Sequence, residues 1–194
     1  SSVFSGTGAR TVIIVGKPTS LTPNTAKNFP FQLAPNESGG MGYSLFLEEP
    51  GTNSGLACRV SGNRIMNHTT STLTPSIFSI QNGASENVSQ TEFYVNGTAV
   101  TTQVSCNNTA LNTSAVGCMI GGFSSDADNI PESNFDYNGD VSEIIVYNQE
   151  LSNTNRNAIE SYLNIRYGIN IPVSSHNFFS HAGFPNNIAG IGQD

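Results

Sequence analysis

Apolar and polar positions fall into short alternating or continuous runs divided by turn residues, a pattern that predicts β-strands along most of the chain. Arg10 to Gly16 is nearly continuous and β-branched, which fits a central strand covered on both faces. Phe29 to Leu33 and Gly42 to Glu48 follow, with Tyr43, Leu45 and Leu47 alternating with Ser44, Phe46 and Glu48. Gly55 to Val60 and Arg64 to His68 flank a Ser61-Gly62-Asn63 turn, and Ser76 to Ile80 ends before Asn82-Gly83. Glu92 to Asn96 and Thr98 to Val104 read as a hairpin turned at Asn96-Gly97. Ala115 to Gly122 and Val141 to Tyr147 complete the strands. The period changes once: Ala158, Ile159, Tyr162 and Leu163 make an apolar stripe at helical spacing. Leu151-Ser152 leads into this helix and Gly168 supplies its left-handed stop, so it should span about 152–167.

Many short strands with turn residues between them imply a two-sheet sandwich. The block from Phe135 to Ile169 adds detail. Gly139-Asp140, Glu143, Tyr147-Asn148, Leu151-Ser152, Tyr162-Leu163 and Arg166-Tyr167-Gly168-Ile169 stand in the order F-x-G-D-[IV]-x-E-[IV]-x-[IV]-Y-N, L-S, Y-L-x-x-[KR]-Y-G-I. This block resembles the C-terminal signature of the laminin-G-like, concanavalin A-type jelly rolls of large bacterial surface proteins. The opening strand ending in Lys17-Pro18, the Tyr94-Val95-Asn96-Gly97 hairpin and Ile120-Gly121-Gly122 are similar to further landmarks of that family. The resemblance implies an all-β fold: a two-sheet antiparallel concanavalin A-like (laminin-G-like) jelly-roll sandwich with one C-terminal helix. Residues 1–171 would be the sandwich and helix. Residues 172–194 would be a tail packed on the sandwich or on a neighbour, or the start of a following domain.

A chain of 194 residues fits one such domain. Charged residues are 11%, well below the usual quarter, and Asn, Ser, Thr and Gly take their place. That surface suits an extracellular or cell-surface protein. The net charge of −7, with Lys and Arg scattered, argues against nucleic acid and anionic membranes as partners. No apolar run is long enough for a membrane span.

Chemistry-bearing residues concentrate between 123 and 140. Asp126, Asp128, Asp136, Asn138 and Asp140 are hard oxygen donors in one loop, which is what calcium needs, although the spacing is not that of an EF-hand. Calcium is therefore an expected cofactor, and a solvated acidic loop is the plain alternative. Phe123, Ser125 and Asn129 in the same loop are the candidate ligand-binding residues, Phe123 as an exposed ring for sugar stacking. Cys106 and Cys118 bracket an Asn/Thr/Ser-rich connection and are candidates to close it by a disulfide, with two buried thiols as the alternative. No catalytic set is expected. The E-x-D-x-x-E strand of jelly-roll glucanases is absent, Gly-x-Ser-x-Gly is absent, and His176 and His181 do not share a metal-binding spacing. The expected function is non-catalytic recognition or adhesion, with an extracellular glycan as partner. The alternative is a surface-filament subunit whose tail strand is exchanged between neighbouring copies, with a glycoside hydrolase less favoured.

Overall fold

The computed structural model describes residues 4–19, 28–33, 43–48, 55–60, 63–66, 73–100, 103–104, 110–113, 117–122, 136–171, 180–181 and 184–188. The first sheet has the order β11-β1-β6-β7-β8, formed by β1 (Arg10–Pro18), β6 (Ser76–Asn82), β7 (Glu92–Val95), β8 (Thr98–Ala99) and β11 (Gly139–Tyr147). The second has the order β10-β2-β3-β4-β5-β9, formed by β2 (Asn28–Leu33), β3 (Tyr43–Glu48), β4 (Gly55–Val60), β5 (Asn63–Met66), β9 (Gln103–Val104) and β10 (Cys118–Ile120). Every pairing within them is antiparallel.

β1 explains its own sequence. Val12 and Ile14 face inward and pack with Phe78, Ile80, Phe93 and Val95 of the same sheet and with Phe31, Leu33 and Tyr43 of the other. Ile13 and Val15 face outward and pack with Ile77, Leu151, Leu163, Ile169 and Ile171 beneath helix α1 (Asn153–Tyr167). A strand buried on both faces needs a continuous apolar run, and each such side chain contributes about 1.5–3 kcal/mol on burial.

The hairpin and the helix follow their local signals. Asn96 and Gly97 both have positive φ, 48° and 77°, as a type I′ turn requires. Asn96 Oδ1 also accepts from the Ile77 amide at 2.8 Å. Ser152 caps the helix by accepting from the Asn155 amide, and Gly168 closes it in the left-handed region at φ 63°.

Three expectations require revision. The strand expected from Thr98 to Val104 is split: Thr98–Ala99 belongs to the first sheet and Gln103–Val104 to the second, so the chain crosses the sandwich between them. The helix is rotated from its expected face. Its buried residues are Arg156, Asn157, Glu160, Ser161 and Leu163, while Tyr162 is 47% exposed. The sheet beneath offers polar Ser79 and Gln81 beside the apolar cluster, and these draw polar partners inward. The tail strands β12 (Ser180–His181) and β13 (Phe184–Ile188) pair with each other as a two-stranded sheet. Cys118 is a free, exposed thiol, so the Cys106–Cys118 bridge is not formed. Cys106 itself lies outside the described residues. The topology gives the reason: β9 and β10 are opposite edges of the six-stranded sheet.

Candidate functional site

The acidic loop is described only where it enters β11. Phe123, Ser125, Asp126, Asp128 and Asn129 lie outside the described residues. Asp136, Asn138 and Asp140 are exposed along the turn that leads into the strand. The turn is tied to both sheets. Thr19, just beyond β1, donates its amide to the Asn138 carbonyl at 3.0 Å and its hydroxyl to Asn138 Oδ1 at 2.7 Å. The Tyr137 amide donates to the Gly121 carbonyl at 2.9 Å, just beyond β10. Burial, and then the Asp140 carboxylate nearby, push the Tyr137 phenol up to about 12. Asn138 Oδ1 is therefore already engaged. Among the described residues no group of three or more His, Cys, Asp or Glu is gathered around a cation-sized space.

A second feature has no sequence motif. A 3₁₀ turn at Val88–Gln90 precedes β7, and beside it lies a pocket of about 370 Å³. Ser89, Gln90, Thr91, Glu92, Tyr94 and Val100 are among its lining residues. The volume falls within the range of small-molecule sites. Gln90 Oε1 accepts from the Asn87 amide at 3.0 Å and fixes the turn. Glu92 Oε2 accepts from the Tyr94 hydroxyl at 2.7 Å and from Gln81 Nε2 at 2.8 Å. Burial, followed by that bond to Glu92, raises the Tyr94 phenol to about 12, so it remains a donor at any physiological pH. Hydroxyls, a carboxamide, a carboxylate and a ring thus meet in one depression. Ser-Gln-Thr-Glu reads as an ordinary polar connection in sequence, and only the turn brings its side chains together.

Carboxylates also gather near Gly83. Glu86 Oε1 and Glu150 Oε2 lie 2.9 and 3.0 Å from the point that a Cβ of Gly83 would occupy. Burial, and then repulsion from Glu86 and Glu92, raise the Glu150 carboxyl above its ordinary value. Glu86 is already used structurally, since its Oε2 accepts from the Gly83 amide at 2.7 Å.

No family model matches the chain, and no curated protein does. Solved structures do. A heptameric SAP-like pentraxin from Limulus polyphemus has a TM-score of 0.53 at 15% identity, over 77% of this chain and 68% of that one. The CBM40 module of a Ruminococcus gnavus IT-sialidase has a TM-score of 0.51 at 13% identity, over 80% and 84%. Domains LG4-5 of the mouse laminin α1 chain have a TM-score of 0.50 at 15% identity, over 78% and 41%. The fold is a laminin-G-like jelly roll. In this jelly roll the signature residues of β11 and α1 clamp one another. Tyr167 donates to Glu143 Oε2 at 2.8 Å, Arg166 stands 3.5 Å from the same oxygen, and Arg166 also donates to the Tyr162 hydroxyl at 2.7 Å. The Tyr162 bond, and then Glu143, hold the Arg166 guanidinium above its ordinary value.

Proposed function

We propose that the chain is a non-catalytic, extracellular glycan-recognition module. The observation that carries this reading is the pocket beside β7, where an aromatic residue, hydroxyls, a carboxamide and a carboxylate converge in a volume of about 370 Å³. That mixture suits a sugar, which presents hydroxyls at its edges and C–H groups on its faces. The fold supports it, since a sialidase CBM40 module shares the architecture. The low charge and polar surface support the extracellular setting. The loop bearing Phe123, Ser125 and Asn129 is the second proposed contact, with calcium as its ion through Asp126, Asp128, Asp136 and Asp140.

The test is a glycan array probed with the full chain in the presence of calcium, followed by titration of the best hit. Binding should fall in Ser89→Ala/Gln90→Ala if the pocket is the site, and in Phe123→Ala/Asn129→Ala if the loop is. A folded chain that binds no glycan on the array sinks the recognition reading. Release of shortened sugar from a bound glycan sinks the non-catalytic part.

A further inference from the structure

Beneath α1 lies a buried ionisable pair, Glu160 and Arg156, neither of which lines the pocket beside β7. Glu160 has no solvent exposure and Arg156 is 2% exposed. The carboxylate receives one hydrogen bond, from the Ser79 hydroxyl of β6 to Oε1 at 2.6 Å, and Oε2 has no partner. Arg156 does not complete it. Its Nε stands 3.7 Å from Glu160 Oε1 and makes no hydrogen bond. Its two other nitrogens donate to Asn153 Oδ1 at 2.8 Å and Asn157 Oδ1 at 3.3 Å, and the guanidinium lies over the Tyr94 ring, 3.4 Å from its centre. Among the described residues, the groups facing Glu160 are therefore Arg156 from its own helix and neutral Ser79 from β6. Beyond Arg156 stand Tyr94 and Glu92 on β7, and Gln81 of β6 bonded to Glu92.

A carboxylate with one donor and an off-line cation is poorly compensated for its lost hydration. We propose that Glu160 is a proton-operated latch: neutral, it fastens α1 to β6, and ionised, it loosens that seam. Desolvation raises the carboxyl above its ordinary value, against the opposing pull of the Ser79 bond and Arg156. The sign follows from linkage. A carboxyl whose folded value lies above its unfolded one binds protons more tightly in the folded state. The added stability is complete below the ordinary glutamate value near about 4.3. It disappears as pH rises through the folded value. Between the two, the folding equilibrium constant should fall by up to about tenfold per pH unit. Gln81 Oε1 is likewise buried without a partner in this cluster. The cluster adjoins the pocket beside β7 through Tyr94 and Glu92, but the inference is argued from Glu160, Ser79 and Arg156, none of which lines that pocket.

The experiment measures urea unfolding of the full chain and of Glu160→Gln from pH 4 to pH 8, together with ¹³C carboxyl shifts of the wild type. The wild type should lose stability as pH rises, relative to Glu160→Gln, with the gap closing at the acid end. The Glu160 carbon should titrate above the ordinary glutamate range, and the Tyr94 and Leu163 signals should move with the same midpoint. Parallel pH profiles, or a Glu160 carbon titrating at or below the ordinary range, overturn the proposal. Should Glu160→Gln fail to fold, Ser79→Ala serves in its place. It removes the bond that favours the ionised form and should move the wild-type midpoint to higher pH, and no movement overturns the proposal.

Discussion

Gly139→Ala should be among the most damaging single-methyl additions to this chain. A Cβ at Gly139 would overlap the Lys17 carbonyl oxygen and would stand 2.8 Å from Pro18 Cα and 2.9 Å from Tyr137 Cζ, where ordinary contact begins at 3.4 Å. Gly139 does not have positive φ, so space and not backbone freedom demands glycine here. Two of the three neighbours are backbone atoms of β1 at its last rungs with β11, Lys17↔Asp140 and Pro18↔Gly139. They can withdraw only by opening those rungs and straining the Thr19–Asn138 bonds just beyond. Overpacking costs about 1–3 kcal/mol and each weakened hydrogen bond about 0.5–1.5, so roughly 2–4 kcal/mol is expected. That is a large share of a typical domain stability. The assay is urea unfolding, read as a lower midpoint at unchanged slope. Gly168→Ala is the control. Nothing lies within 4 Å of its added Cβ, and only the positive φ opposes it. Its cost should be about 1–2 kcal/mol, and Gly168→Asn should recover part of it. A Gly139→Ala stability within about 0.5 kcal/mol of wild type, or a smaller loss than for Gly168→Ala, refutes the reasoning.

Two further predictions follow from the loop and the tail. Millimolar calcium should raise the melting temperature over that in chelator, by mass action on the folded state, and Asp126→Asn/Asp128→Asn should abolish the rise; no shift in the parent chain removes calcium from the proposal. Deleting Pro172 to Asp194 removes Phe178, Phe179, Phe184, Ile188 and Ile191 and should lower the melting temperature or the oligomeric state; if both are unchanged, the tail is dispensable to this fold.

What was legible in the chain is what local physics decides. The β-branched run of β1, the Asn96-Gly97 turn and the Ser152 and Gly168 caps each act on their own neighbourhood, and the structure follows them to within a residue or two. What was not legible depends on a partner far away in sequence. The apolar stripe of α1 pointed to Tyr162, yet Arg156 and Glu160 are buried because Ser79 and Tyr94 lie opposite them. Cys106 and Cys118 are close in sequence, but the sheet order places the strands beside them at opposite edges. The pocket beside β7 arises where a 3₁₀ turn folds four polar residues against Tyr94 and Val100, and no spacing of residues announces such a turn.

The signature that made the fold readable is also the reason it says little about the ligand. Several of its described residues have a structural task. Gly139 admits the end of β1, Ser152 caps α1, Gly168 stops it, and Glu143 joins Tyr167 and Arg166 so that strand and helix hold one angle. Leu151, Leu163 and Ile169 fill the core between them. A side chain committed to such contacts cannot be altered to suit a new ligand without loosening the helix. In the proposed glycan reading, recognition falls to residues outside those contacts: the pocket wall at Ser89 to Glu92 and the loop that carries Phe123 and Asn129. Chains that share the Gly139 to Ile169 block should share the clamp, and their glycan preferences should follow those two segments.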